Sequence, residues 1–324
     1  PPPVPPTMPP EPPSPASPPP HPPALPSPTP PNPCLALVAP NADFSSCLSL
    51  RRADLRGAVL HSSNLDGVDL SGALLQGADL RATTLVDAVL MGTNLTGARF
   101  DRALLHRTDL RGAYGAGADL RGAILWDAEL SGADFSRARL DGAQLIDIEV
   151  RPGTGTLFVE TVLTDVLIEG SSFEEAKFSR AVLTRARIEH SSMERCHLES
   201  ASLQAAVVVG TSFQGAHLRG AKLDSAVLTR WAAADSDLRM ASLRNVDLSF
   251  SSLERANCYA ADFSHSFLTG ASLSGANVEF AQFVGAIVEK TDFSGSAVDM
   301  ANFTSARMAG ALFNFAFGTP ITGI

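Results

Sequence analysis

Three residues set twenty apart, His197, His217 and Asp237, are the nearest this chain comes to a metal-ligating set. Imidazole nitrogens and a carboxylate oxygen are ordinary donors to a divalent transition metal, and a fixed interval can bring them to one side of a repeating structure. They would project from a flat, solvated wall with no enclosing shell, so neither a metal nor any other cofactor is expected. Cys34 and Cys47, thirteen residues apart, close a disulfide in an oxidising compartment or stay as two half-buried thiols, and both readings stand. Carboxylates are abundant, but they precede large apolar residues at a regular interval, as in Asp54-Leu55, Asp79-Leu80 and Asp119-Leu120. The interval places them, with no need for acid-base chemistry. No Ser-His-Asp, Walker or dinucleotide pattern sits in a strand-turn-helix setting, and a non-enzyme is expected.

The interval is five. From Leu50 to Val150 every fifth residue is large and apolar, broken only at Gly115, and a small residue stands two places before nearly all of them. Five matches neither the helical 3.6 nor a plain strand's two, so an internal repeat is the reading. Within a unit the small and large residues share one face, as on a strand, and the fifth place is commonly Gly, as at Gly57, Gly67 and Gly72. Each unit is therefore a very short strand plus a corner. Four corners close a coil of about 20 residues, and coils stack at roughly 4.8 Å. After Val150 the register slips: the next large residue is Phe158, eight places on, and the period then runs to Phe313 with Ala233 in one of its large places. The two blocks hold about 13 coils, a rod on the order of 60 Å long.

Units such as Ala53-Asp54-Leu55-Arg56-Gly57 and Ala78-Asp79-Leu80-Arg81-Ala82 meet the consensus A-(D/N)-L-x-x, and the chain resembles the pentapeptide-repeat family over residues 42 to 317. That resemblance implies an all-β fold, a right-handed quadrilateral parallel β-helix.

Around the repeats the organisation reads as follows. Residues 1–33 hold 20 of the 23 prolines and suit an extended polyproline II tether; this segment resembles Pro-rich linkers of envelope and cell-wall proteins in composition only. Residues 34–49 are an N-terminal cap, in which Leu35, Leu37 and Val38 are expected as a strand over the open end and Ala42-Asp43-Phe44 as one repeat. Then follow block 1 (50–150), an inserted loop (151–157), block 2 (158–313) and a C-terminal segment (314–324). In that last stretch Phe313, Phe315 and Phe317 form a cap or a homodimer contact at the solenoid end. The first residue is Pro, so a fragment or processed chain is expected. No apolar run is long enough for a membrane span.

Stacking predicts which residues meet. Trp231 stands at a small position and Ala233 at the large one beside it, an exchange of volume within one unit; Phe135 faces the gap at Gly115, with Tyr114 beside it; and Phe263, Phe283 and Phe303 should stack. Cys196 and Cys258 fall inward, three coils apart, as packing residues.

Outward positions carry the function. One wall alternates charge in both directions through Asp79/Arg81, Arg99/Asp101, Asp119/Arg121 and Arg139/Asp141. A second column, Asp69, Val89, Asp109, Glu129 and Glu149, is acidic. A third, Val86, His106, Trp126 and Ile146, is apolar for an exposed site and is expected to end beside the inserted loop, whose Arg151, Pro152 and Gly153 would join it in contacting a partner, or would cover it. The expected function is a non-catalytic scaffold that presents flat walls to a protein. The alternative, implied by the resemblance, is a DNA-mimicking inhibitor or protector of a type II topoisomerase such as gyrase. The net charge of −9, spread evenly over the blocks, offers no basic footprint, so direct nucleic-acid binding is not expected. The compartment stays open, the Pro-rich segment and the cysteine pair leaning toward an extracytoplasmic one.

Overall fold

Most units bend in the same way. The carbonyl of the large residue accepts from the amide three residues on, Leu50 from Ala53 at 3.1 Å and Leu75 from Ala78 at 3.0 Å, and the third residue of the turn has positive φ, 53° at Arg52 and 65° at Gly77. A positive φ at that place is the requirement that favours Gly in type II turns. Many of these corners nevertheless carry Arg, Asp, Glu, Ser or His, each at a cost of about 1–2 kcal/mol that burial of the neighbouring large side chain offsets.

The corners fold the chain into a four-walled solenoid. This computed structural model describes residues 32–321, so the proposed Pro-rich tether lies outside the described residues except at its end. Parallel bridges join residues twenty apart, as in Asp79, Arg99, Asp119 and Arg139. Thirteen successive bridges connect one column from Ser49 to Leu312. Across the loop the bridge spacing rises to 23, Asp134 with Leu157 and Arg139 with Val162, so three extra residues are expelled while the ladder continues.

One wall is more regular than the others. It carries the strands β1 (Ile124–Trp126), β2 (Gln144–Ile146), β3 (Leu167–Glu169), β4 (Arg187–Glu189) and β5 (Val207–Val209), paired in that order as a parallel sheet. Its β-branched residues suit the pleat.

The interior is built of columns of large side chains and columns of small ones. Trp231 and Ala233 are both buried, Phe263 stacks on Phe283 at 4.9 Å and Phe283 on Phe303 at 4.7 Å. Phe135 fills the space at Gly115, whereas Tyr114 points to solvent. Several small positions occupied by Ser, Thr or Cys satisfy themselves on the carbonyl of a large residue one coil away, Thr108 Oγ1 to Leu85 O at 2.9 Å, Cys196 Sγ to Phe173 O at 2.8 Å and Ser251 Oγ to Leu228 O at 3.0 Å, while others bond within their own unit, as Thr83 Oγ1 does to Leu80 O at 2.7 Å. Burial pushes the Cys258 thiol up to about 12, and it stays an inert packing group.

The N-terminal end differs from expectation. Residues Pro33–Leu37 form a 3-10 turn, where a covering strand is read from the sequence. Pro33 has no N–H for a ladder and its fixed φ suits the first place of a helical turn. Cys34 and Cys47 are joined, with 5.7 Å between Cα atoms, and Cys34 and Val38 pack on the core. Phe44 is buried and its amide bonds to Asn64 O at 2.9 Å, as one repeat. At the other end Phe317 bridges to Ala297 and Ile321 to Asn302, so the tail continues the ladder. Phe313 stacks on Phe293 at 4.9 Å, Phe317 is exposed, and Phe315 is 94% exposed.

Candidate functional site

The apolar column lies on the wall of β1–β5. Trp126 ends β1 and pairs with Ile146 at the end of β2; below it the His106 ring is 4.7 Å from the indole. The backbone holds the column in line, Arg107 N to Trp126 O at 2.8 Å and Asp127 N to Ile146 O at 2.9 Å. Trp126 Nε1 donates to Gln144 Oε1 at 3.3 Å, which fixes the plane of an indole that is still 42% exposed. Val86 is half-buried one coil below His106, its amide donating to Asp66 Oδ1 at 2.8 Å.

The column has a neighbour that reading single units misses. Leu104, Ile124 and Leu167 occupy the other outward place on the same wall, bridged in sequence with Gln144 between them, and are half-buried. Judged one unit at a time each is an isolated apolar surface residue; read down the twenty-residue column they double the width of the patch. The patch ends upward at Glu169 and at Glu189, which takes Arg187 at 2.6 Å.

The inserted loop is not beside Trp126. It leaves from the next wall's far edge: Arg151 N donates to Ser131 Oγ at 3.0 Å, Gly153 N to Glu175 Oε2 at 2.9 Å, and Thr156 Oγ1 accepts from Gly132 N at 2.9 Å. The whole Ala128–Ser131 segment lies between Asp127 and those anchors. Arg151, Pro152 and Gly153 are exposed on their own corner, with Arg151 3.6 Å from Glu129. Ile146 and Arg151 are five positions apart in sequence, but a corner is turned between them.

The charged walls are largely self-paired. Arg81 forks onto Asp79, Arg121 onto Asp119 while also reaching Asp101 at 2.9 Å, and Arg139 meets Asp141 at 3.3 Å. In the acidic column Asp69 takes Arg51 at 3.2 Å and Asp109 takes a fork from Arg111. Hydrogen bonds from Arg111 hold the Asp109 carboxyl below the usual range against the opposing effect of burial. Among the described residues Glu149 is the member of that column without an ion pair.

His197, His217 and Asp237 are brought into one column, and the imidazoles stack at 4.6 Å. Both Asp237 oxygens are taken by Arg239 at 2.8 and 2.6 Å, and His197 Nδ1 lies 3.1 Å from Glu199. No group of three His, Cys, Asp or Glu among the described residues has the geometry to hold a metal ion. A surface hollow of about 500 Å³ between Gly117, Arg137, Glu160 and Arg180 is lined by charges that already pair with one another.

The sequence profile of pentapeptide repeats matches in eight copies, over residues 41–77, 73–112, 116–148, 161–199, 191–230, 201–249 and 251–289. The chain belongs to the pentapeptide-repeat family. No curated protein matches this pentapeptide-repeat chain. Among solved structures it is similar to HetL, a pentapeptide repeat protein involved in heterocyst differentiation regulation in Nostoc sp. strain PCC 7120, with 26% identity over 78% of this chain and 86% of that one and a TM-score of 0.26. Full-length QnrB1, a plasmid-mediated fluoroquinolone resistance protein, is 17% identical over 71% of this chain and 93% of its own, with a TM-score of 0.31. A pentapeptide repeat protein of the Arabidopsis thaliana thylakoid lumen is 27% identical over 37% of this chain and 68% of its own, with a TM-score of 0.14. Among the described residues no helix is long and apolar enough to cross a membrane.

Proposed function

We propose that this pentapeptide-repeat protein is a non-catalytic scaffold and that it binds a protein through the wall of β1–β3. The observation that carries this reading is an exposed Trp126 held in a fixed plane by Gln144, flanked by His106 and Ile146 and widened by Leu104, Ile124 and Leu167. A rigid aromatic anchor on a flat apolar field loses little side-chain freedom on binding and matches the composition of interface centres. The loop at Arg151–Gly153 supplies a second, separate contact on its own corner.

The topoisomerase-directed alternative needs a continuous negative stripe. The arginine partners of Asp69 and Asp109, and Arg151 beside Glu129, interrupt the acidic column that would supply it. The test is affinity capture with the full chain beside a Trp126→Asp, Ile146→Asp variant of unchanged circular dichroism. A protein recovered with the first and lost with the second supports the wall; identical recoveries remove it, and recovery of a topoisomerase by both promotes the alternative.

A further inference from the structure

A second surface lies far up the rod, where corner residues change character. From Arg52 to Asp235 the corners carry Gly, Ala, Ser, His or charged residues; from Met240 onward Met240, Phe250, Phe280, Met300 and Phe315 also occupy them, in the same positive-φ geometry. Bulky apolar side chains have no advantage in that backbone region and none in water. Three of them, Met240, Phe280 and Met300, stand in one column with Gly220 and Ala260, and all three are exposed. Beside them runs a column of Arg219, Arg239, Tyr259, Glu279 and Asp299. The two are locked in step by Gly220 N to Arg239 O, Met240 N to Tyr259 O, Ala260 N to Glu279 O and Phe280 N to Asp299 O, each 2.9 Å. The Tyr259 ring leans on Phe280, centroids 5.4 Å apart.

Both columns are their own complements when reversed about Tyr259. Two basic residues lie below the ring and two acidic ones above it, at equal numbers of coils. A two-fold axis in the plane of contact, running across the coils at the height of Tyr259, turns the rod end for end and leaves each column facing itself. Arg239 then meets Glu279 of the second copy, Arg219 meets Asp299, Met240 meets Phe280, Met300 meets Gly220, and the small Ala260 faces itself on the axis. Arg219, Glu279 and Asp299 make no ion pair within the chain among the described residues, unlike most arginines along the rod. We infer that this wall is an antiparallel, side-by-side homodimer contact between two copies of the chain. The closed two-fold arrangement needs the same patch on both partners, and this patch supplies both halves. It spans about 19 Å of rod, at the small end for a lasting complex, so the dimer is weak, reversible and sensitive to salt. It does not depend on the Trp126 wall.

Sedimentation velocity of the full chain across a concentration series, at low and high salt, is the measurement. Arg219→Glu and Asp299→Arg each set like charges against each other in the homodimer, and each should weaken association about tenfold. Mixed together, the two variants regain opposite charges at both contacts and should associate as the parent does. Tyr259→Lys with Phe280→Lys should abolish association with the fold intact by circular dichroism. The inference is overturned if the parent stays monomeric at every concentration, if the mixture fails to recover, or if association survives the lysines and is lost with Phe315→Ser and Phe317→Ser, which would place the contact at the solenoid end.

Discussion

The Phe135 ring occupies the place of the side chain that Gly115 lacks: a Cβ on Gly115 would lie 2.5 Å from Phe135 Cε1. The one break in the first block's period is thus a volume exchange between adjacent coils.

Gly115→Leu restores the period and should destabilise the protein by about 1–3 kcal/mol, because the added atoms have nowhere to go. Gly115 is not in the positive-φ region, so the loss is steric alone. Phe135→Leu in the same chain should recover most of it. A urea midpoint series over the two single variants and the double variant measures the coupling; strict additivity would mean that the two sites do not share the space.

The two tryptophans should differ in collisional quenching. Trp231 is 2% exposed and packs edge-on to Phe213 at 5.4 Å, while Trp126 is an open surface residue. In Trp126→Phe the remaining emission should resist acrylamide; in Trp231→Phe it should quench freely. Trp231→Ala should cost about 3–5 kcal/mol, since the neighbouring Ala233 cannot refill the volume.

Cutting the Cys34–Cys47 link should loosen one end only. Closing a loop of this length contributes about 3 kcal/mol by restricting the unfolded chain, and in a stack that contacts only its neighbours the effect stays local. Amide exchange in Cys47→Ser should speed up through the coil of Phe44 and Leu50 and remain as in the parent beyond Leu90. Uniform acceleration along the rod would contradict this.

Acid should weaken the rod in a defined window. Side-chain hydrogen bonds from Arg56, Arg81 and Arg111 lower the carboxyls of Asp54, to about 2, and of Asp79 and Asp109. The unfolded chain, near 3.8, binds these protons first, so the contribution is present above that pH and is lost as pH falls toward about 2. Thermal midpoints should fall with decreasing pH below 4, and less steeply for Asp109→Asn. A midpoint that rises on acidification would reverse the sign.

The interior was legible in the sequence because a five-residue period leaves each residue one direction to face, and even the exceptions at Trp231 and Gly115 are explained by the residue beside or above them. The ends were less so. Leu35, Leu37 and Val38 have strand-like composition, but Pro33 and the Cys34 link set their backbone. The candidate surface was half legible: Trp126 and Ile146 stand out singly, whereas Leu104, Ile124 and Leu167 gain meaning only when residues twenty apart are read together. Sequence distance also misplaced the loop, since five residues suffice to turn a corner.

The disulfide also decides where tension enters the fold. A pull on the chain ahead of Pro33 crosses from Cys34 to Cys47 through a covalent link and so bypasses the 3-10 turn and the Phe44 repeat. The load arrives directly on the ladder at Leu48 and Leu50, where Leu48 O accepts from Asp69 N at 3.2 Å and Leu50 N donates to Asp69 O at 2.7 Å. From there the coil can only be unzipped one bridge at a time, and the first repeat is shielded from peeling for as long as the two sulfurs stay joined.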